Sequence, residues 1–352
     1  MKYVWLVLFI IIVGLGAGFL FWRNQQNAMI TELTTSETTT TPKTPTMHWG
    51  VLIRAHALKK GSAPYSKTAL DQQLDLAKEL GVTDVRANIE VDDAINDDFV
   101  NLAIQKGLTP TLIIEPELGD FFNLATYQKA YDIAKKYATR YQGKVPYYQL
   151  ANEASGSTVK PNASGNKLTD YDEKKYPAFK DWLRGLSDGV AAADPAAKRM
   201  VSAHWLGVAA IDKLATDKVN FEIIGWNWYS DMGNDLIKKL DDGTTLNIPQ
   251  YFKAKYPAKE FWVVELNRRN GTLDKNYKAQ ADFLQTFITN VLSHKNTKGI
   301  FIFPLTDQCA EMDKDYGNMG LITIKDNGDG TCSIAAKKTA FTTYQKLIKA
   351  NP

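Results

Sequence analysis

Val145-Pro146-Tyr147-Tyr148-Gln149-Leu150-Ala151-Asn152-Glu153 and Phe261-Trp262-Val263-Val264-Glu265 are two short apolar runs that each end in a glutamate. Each reads as a buried strand followed at once by an ionisable side chain. A carboxylate at the exit of a core strand is costly unless something there uses it, because burying charge is unfavourable. Two such exits in one chain suggest a pair of acidic groups facing one cleft.

Further runs of the same kind lie on either side. Strand candidates are Trp49 to Ile53, Asp84 to Ile89, Thr109 to Ile114, Tyr147 to Leu150, Arg199 to Ala203, Phe221 to Trp226, Phe261 to Val264 and Gly299 to Phe303. Most are apolar on consecutive residues, as expected when both faces of a parallel strand are covered. Amphipathic helices fill the gaps. Ser66 is placed to cap a helix over Lys67 to Leu80, which Gly81 ends. Tyr127 to Tyr141 and Tyr277 to Leu292 repeat the pattern, and a last helix is expected over Ala335 to Ala350. Repeats of this number and size match a (β/α)8 TIM barrel, in which catalytic groups sit at the carboxyl ends of the strands. An open doubly wound sheet is the competitor, but its phosphate-binding glycine loop is missing after the first strand. On the barrel reading, Glu153 ends the fourth strand and Glu265 the seventh.

The chain has 352 residues, 44% of them hydrophobic, and a net charge of +3, with no dense Lys/Arg run. That balance gives no reason to expect nucleic acid. Residues 1–23 are a different material. From Tyr3 to Trp22 the chain carries no charge, closing with Arg23. This is about the 20 residues that a membrane-spanning helix needs. Ala17-Gly18-Phe19 is a poor cleavage site, so an uncleaved anchor is favoured over a removed secretory signal. Gly14 and Gly18 form a small-residue pair within it, and the glycines there follow no soluble strand that would make them a dinucleotide loop. Residues 24–46, dominated by Thr, Ser and Glu, read as a flexible stalk. Residues 47–352 form the expected catalytic domain. Only Cys309 and Cys332 occur. An even count in an exported chain suggests one bridge, worth on the order of 3 kcal/mol. The expectation is a monomer tethered to the membrane with its domain outside the cytoplasm, or else secreted.

With these placements the chain resembles the retaining glycoside hydrolases of the large (β/α)8 clan known as clan A. The resemblance implies an acid/base glutamate after an asparagine at the end of strand four, matched by Asn152-Glu153. It implies a nucleophilic glutamate at the end of strand seven, matched in position by Glu265. Arg86, ending strand two, stands where the family keeps an arginine that supports the nucleophile. Tyr229, after strand six, stands where a tyrosine hydrogen-bonds it. His204-Trp205 follow strand five at the rim. The resemblance implies a carbohydrate substrate; from the residues themselves no cofactor or metal is expected. Departures are Val264 before and Leu266-Asn267 after Glu265, Asn227 where some families place a histidine, and Phe301-Ile302-Phe303-Pro304 in place of a tryptophan that floors the sugar site.

A retaining mechanism uses two carboxyl groups about 5 Å apart, one ionised and one protonated. Arg86 would hold Glu265 ionised, burial and a second carboxylate would raise the pKa of Glu153, and Asn152 would meet the sugar 2-hydroxyl. Arg86 reads equally as a structural partner for Glu90 or Asp92. Trp226 reads as core, whereas Trp205 and Trp228 offer flat faces for a ligand. Glu115 and Glu117 are rivals for the acid role and are ranked as cleft-lining or structural. The polar loop from Ala154 to Thr169 would form one cleft wall. Asp326-Asn327-Gly328-Asp329-Gly330 lacks the ligand spacing of a calcium loop and reads as a hairpin turn. His48, His56, His204 and His294 form no zinc-hydrolase motif, and neither a P-loop nor a GxSxG elbow is present. The expectation is a retaining β-glycosidase, in an endo-acting form. A glycan-binding barrel without catalysis and a transglycosylase using the same residues are the alternatives.

Overall fold

Eight parallel strands close into a barrel: β1 (His48–Leu52), β2 (Asp84–Asn88), β3 (Thr109–Ile114), β4 (Tyr147–Leu150), β5 (Lys198–His204), β6 (Ile223–Tyr229), β9 (Glu260–Asn267) and β10 (Thr297–Ile302). Two antiparallel hairpins interrupt the series, β7 (Ile237–Lys239) with β8 (Thr245–Asn247), and β11 (Ile322–Asp326) with β12 (Cys332–Lys337). The computed structural model describes residues 47–115 and 124–352. The expected anchor at 1–23, the stalk at 24–46 and Glu117 lie outside them. Among the described residues no helix is long and apolar enough to cross a membrane.

The barrel forms where it was expected, with each strand edge within three residues of the expected one. The difference that matters is at β6, which runs on to Tyr229 and so takes Trp228 and Tyr229 into the strand. The helices pack outside as their periodicity demands. In α1 (Lys67–Leu80), Ser66 Oγ accepts from the Ala69 N–H at 3.2 Å, and Gly81 leaves the helix at φ 90°. Further helices include α2 (Asp93–Gln105), α3 (Tyr127–Arg140), α4 (Tyr176–Ala193), α5 (Val208–Thr216), α6 (Ile248–Lys255) and α7 (Tyr277–Ser293). The last helix, α8, spans Thr339–Ala350 rather than starting at Ala335. Ala335 and Ala336 instead belong to β12, where pairing with β11 outweighs the helix preference of alanine. Asp326 to Gly330 lies at the turn of that hairpin, as expected. Cys309 and Cys332 are joined by a disulfide, which ties the segment after β10 to β12.

Inside the barrel, Met200, Ile223, Trp262, Val264 and Phe301 pack as one apolar layer. Gly50 makes room for it, because a Cβ there would stand 2.1 Å from the Phe301 ring. One departure from strand regularity aims the site. β6 pairs Trp226 with Val263 but Asn227 with Glu265, so β9 carries an extra residue at that step. Regular alternation would send Val264 inward and Glu265 outward among the helices. The bulge turns Glu265 inward as well, while Leu266 resumes the outer layer.

A buried ion pair closes the top of the β11–β12 excursion. Lys338 Nζ donates to Asp307 Oδ1 at 2.7 Å, to Thr272 Oγ1 at 2.7 Å and to the Asn318 carbonyl at 2.9 Å. Burial pushes the Asp307 carboxyl up to about 6 against the pull of Lys338. Lys338→Met would leave that carboxyl buried without its cation. Urea denaturation is expected to register a loss of about 3–5 kcal/mol.

Candidate active site

At the carboxyl ends of the strands, Arg86 from β2 is the hub. Its side chain is 0% exposed, so every N–H it carries needs an acceptor inside the protein. Nη1 donates to Glu265 Oε1 at 3.1 Å and to the Val264 carbonyl at 2.9 Å, which the bulge has turned inward. Nε donates to Gln149 Oε1 at 2.7 Å, and Nη2 to Asn152 Oδ1 at 3.1 Å. The alternative partner Glu90 pairs with His56 at 3.3 Å instead. Asp92 serves as the N-cap of α2, accepting from the Ala94 N–H.

Glu265 is 5% exposed. Its second oxygen, Oε2, accepts from the Tyr229 hydroxyl at 2.9 Å. Burial, followed by the charge of Glu265, pushes the Tyr229 phenol well above its ordinary range, so it remains a donor.

Glu153 approaches from the other side of the barrel mouth. The chain leaves β4 through two non-glycine residues in the left-handed region, Ala151 at φ 60° and Glu153 at φ 47°. Such backbone costs about 1–3 kcal/mol per residue and persists only where the surroundings enforce it. Here Ser202 Oγ accepts from the Glu153 N–H at 3.0 Å, and Glu115 Oε1 accepts from the Asn152 N–H at 3.1 Å. Glu153 Oε1 accepts from Asn227 Nδ2 at 2.7 Å, and Oε2 lies 3.7 Å from His204 Nδ1. Burial, and next the negative charge of Glu265, raise the pKa of Glu153, opposed by His204 and the Asn227 hydrogen bond. Glu115 is also raised, chiefly by burial, against the Asn152 N–H and the charge of Arg86.

Asn152 links the two glutamates. Its Oδ1 receives Arg86 Nη2, Gln149 Nε2 at 2.9 Å, Asn227 Nδ2 at 3.2 Å and Ser202 Oγ at 3.3 Å. Arg86, Gln149 and Asn227 can only donate at those atoms, which sets the amide orientation. Among the described residues its Nδ2 donates to no one.

The structure thus brings Glu153, Glu265, Asn152, Arg86, His204 and Tyr229 together. Trp205 is half-buried at the rim beside a depression of about 560 Å³, with Lys238 Nζ 5.2 Å above its ring. Trp228 corrects the sequence reading. It is 0% exposed, its ring lies over Phe287, and its indole N–H donates to the Gly233 carbonyl. Because β6 extends past Trp226, Trp228 faces the helices on the same side of the strand as Trp226. Sequence reasoning passed over Gln149, Ser202 and the bond from Asn227 to Glu153. The available signal was a polar residue within an apolar strand, as in Tyr148-Gln149-Leu150 and Val201-Ser202-Ala203.

No protein-family model matches the chain, and no curated protein matches it in sequence. Solved structures do match. A β-glucosidase from Thermotoga maritima in complex with castanospermine aligns with TM-score 0.62 and 13% identity over 87% of this chain and 98% of its own. A family 1 β-glucosidase from Thermotoga maritima aligns with TM-score 0.61 and 12% identity over 87% of this chain and 97% of its own. At that identity the likeness is one of architecture: this chain is a (β/α)8 barrel of the same fold as the family 1 β-glucosidases, in agreement with the clan A resemblance.

Proposed function

We propose that the barrel is a retaining glycoside hydrolase that cleaves β-glycosidic bonds by double displacement. The observation that carries the reading is the unbroken hydrogen-bonded path Glu265–Arg86–Asn152–Asn227–Glu153 across the barrel mouth. It places two carboxyl groups in different environments, which is how acid and nucleophile are separated at one pH. Glu265, held by the Arg86 guanidinium and the Tyr229 hydroxyl, attacks the anomeric carbon. Glu153, raised by burial, protonates the departing oxygen. Once Glu265 is esterified to the sugar its charge is gone, so one cause of the raised pKa of Glu153 disappears. The same carboxylate then accepts a proton from the water that releases the sugar. The free Nδ2 of Asn152 meets the sugar 2-hydroxyl, and Trp205, beyond His204 on the Glu153 side, stacks on the leaving portion of the substrate. Separate depressions, one lined by Glu115 and one by Trp205, suit an endo-acting enzyme on a chain. We further propose that the domain works outside the cytoplasm, tethered through residues 1–23; the disulfide supports an oxidising compartment.

Incubation of the protein with β-linked polysaccharides and aryl β-glycosides should release new reducing ends. Binding without release would favour the non-catalytic barrel instead.

The electrostatics also make a pH prediction. His204 and Asn227 both hold the pKa of Glu153 down. The first chemical step needs Glu153 protonated, so activity is lost as pH rises through that pKa. Asn227→Ala and His204→Ala each remove a lowering influence, and the basic limb of the kcat/KM profile should move to higher pH. A shift to lower pH in both variants would contradict the assignment of Glu153 as the acid.

A further inference from the structure

Arg54, two residues past the end of β1, lines two adjoining depressions of about 400 Å³ and about 580 Å³ beside the site. Its guanidinium lies 5.1 Å above the ring of Phe303, at the end of the last barrel strand. Glu265, Tyr229 and Glu90 are within electrostatic range of it. The side chain is exposed, and among the described residues it makes no ion pair or side-chain hydrogen bond.

Among the described residues, every other charged side chain lining these depressions already has a partner. Glu90 is held by His56 at 3.3 Å, and Glu311 by Lys314 at 2.6 Å. Glu115 accepts from the Asn152 N–H. Lys59 donates to the Ala63 carbonyl, Lys60 pairs with Asp326, and Lys136 pairs with Asp93. Among the described residues Arg54 is therefore the one uncommitted charge lining these depressions. A guanidinium stacked on an aromatic ring is oriented but unfilled, and its planar fork matches a carboxylate or sulfate through two parallel N–H bonds. Its position at the exit of β1, within the field of Glu265, puts such a group on the sugar that Glu265 attacks.

Resting on the hydrolase reading above, we propose that Arg54 receives an anionic substituent of that sugar, so that the preferred substrate is an acidic β-glycan. The carboxylate of a uronic acid and a sulfate ester share the required chemistry. The lysines do not serve, because each is tied to a protein acceptor at the rim.

The test compares three aryl β-glycosides with one leaving group, bearing at C6 a carboxylate, a sulfate ester or a plain hydroxymethyl. A charge-assisted bidentate contact should favour the anionic sugar over the neutral one in kcat/KM by about 10- to 100-fold. The better of the two anionic substrates identifies the substituent. In Arg54→Gln the anionic-to-neutral ratio should collapse toward one, and Arg54→Lys should retain part of it. A wild-type preference for the neutral sugar, or an unchanged ratio in Arg54→Gln, overturns the proposal while leaving the hydrolase reading intact. If the wild type cleaves none of the three, the hydrolase reading fails on these sugars, and calorimetric titration of glucuronate and glucose decides Arg54 separately. Tighter binding of glucuronate by the wild type than by Arg54→Gln supports the site, and equal binding overturns it.

Discussion

Glu265→Gln is expected to lower kcat on any cleaved β-glycoside by about 10⁴-fold or more while the protein still unfolds in one cooperative transition. The amide removes the nucleophile and little else. Glutamine keeps an oxygen that can accept from Arg86 Nη1, and Arg86 retains the Val264 carbonyl, Gln149 and Asn152 as further acceptors. The buried cation is thus left without its counter-charge but not without hydrogen bonds, so the loss should fall on chemistry before it falls on folding. Glu265→Ala opens space beside the anomeric carbon, and added azide should restore turnover, giving the α-glycosyl azide by direct attack. Turnover within tenfold of the wild type in Glu265→Gln would remove this residue from its role.

Glu153→Ala should split substrates by their leaving groups. For an alkyl or sugar leaving group, which must be protonated to depart, loss of the general acid is expected to cost about 10²–10⁴-fold. For a dinitrophenyl glycoside the first step needs no proton, and the burden moves to the second step, where Glu153 would have activated water. Azide should then accelerate release and give the β-glycosyl azide. A variant that was merely misfolded would lose activity evenly across leaving groups. An even loss, unresponsive to azide, in a variant that still unfolds in one cooperative transition would count against Glu153 as the acid and base. Asn227 would remain in place beside the cavity, because its amide also donates to Asn152 Oδ1.

Much of this arrangement was legible along the chain, for physical reasons. Parallel strands buried on both faces write themselves as continuous apolar runs, and all eight barrel strands were found that way. Asn152-Glu153 stood out because a charge at the end of such a run needs a use. Ser66 and Gly81 delimited their helix because capping chemistry is local. What could not be read depends on registration between strands. The extra residue in β9, which brings both Val264 and Glu265 inward, is visible only once β6 lies beside it. The same ignorance of register misplaced Trp228, because the end of β6 decides which way that ring points. The role of Asn227 was hidden for a related reason. Its partner Glu153 lies on a strand exit two strands away, and no spacing along the chain reports that proximity. The start of α8 was misjudged because pairing across a hairpin overrode local propensity at Ala335 and Ala336.

The network around Asn152 also accounts for the strain at the end of β4. Arg86, Gln149, Ser202 and Asn227 converge on one amide oxygen, and the left-handed turns at Ala151 and Glu153 bring that oxygen within their reach. Backbone strain of this kind is sustained by the contacts it makes possible.

In double displacement Glu265 forms a covalent bond to the sugar before water does. Proton NMR of the first product from an aryl β-glycoside, recorded before mutarotation, distinguishes this route from a single displacement. The β-anomer should appear first and the α-anomer only afterwards. An α-anomer as the initial product would mean a single inverting displacement, and Glu265 would not be a nucleophile.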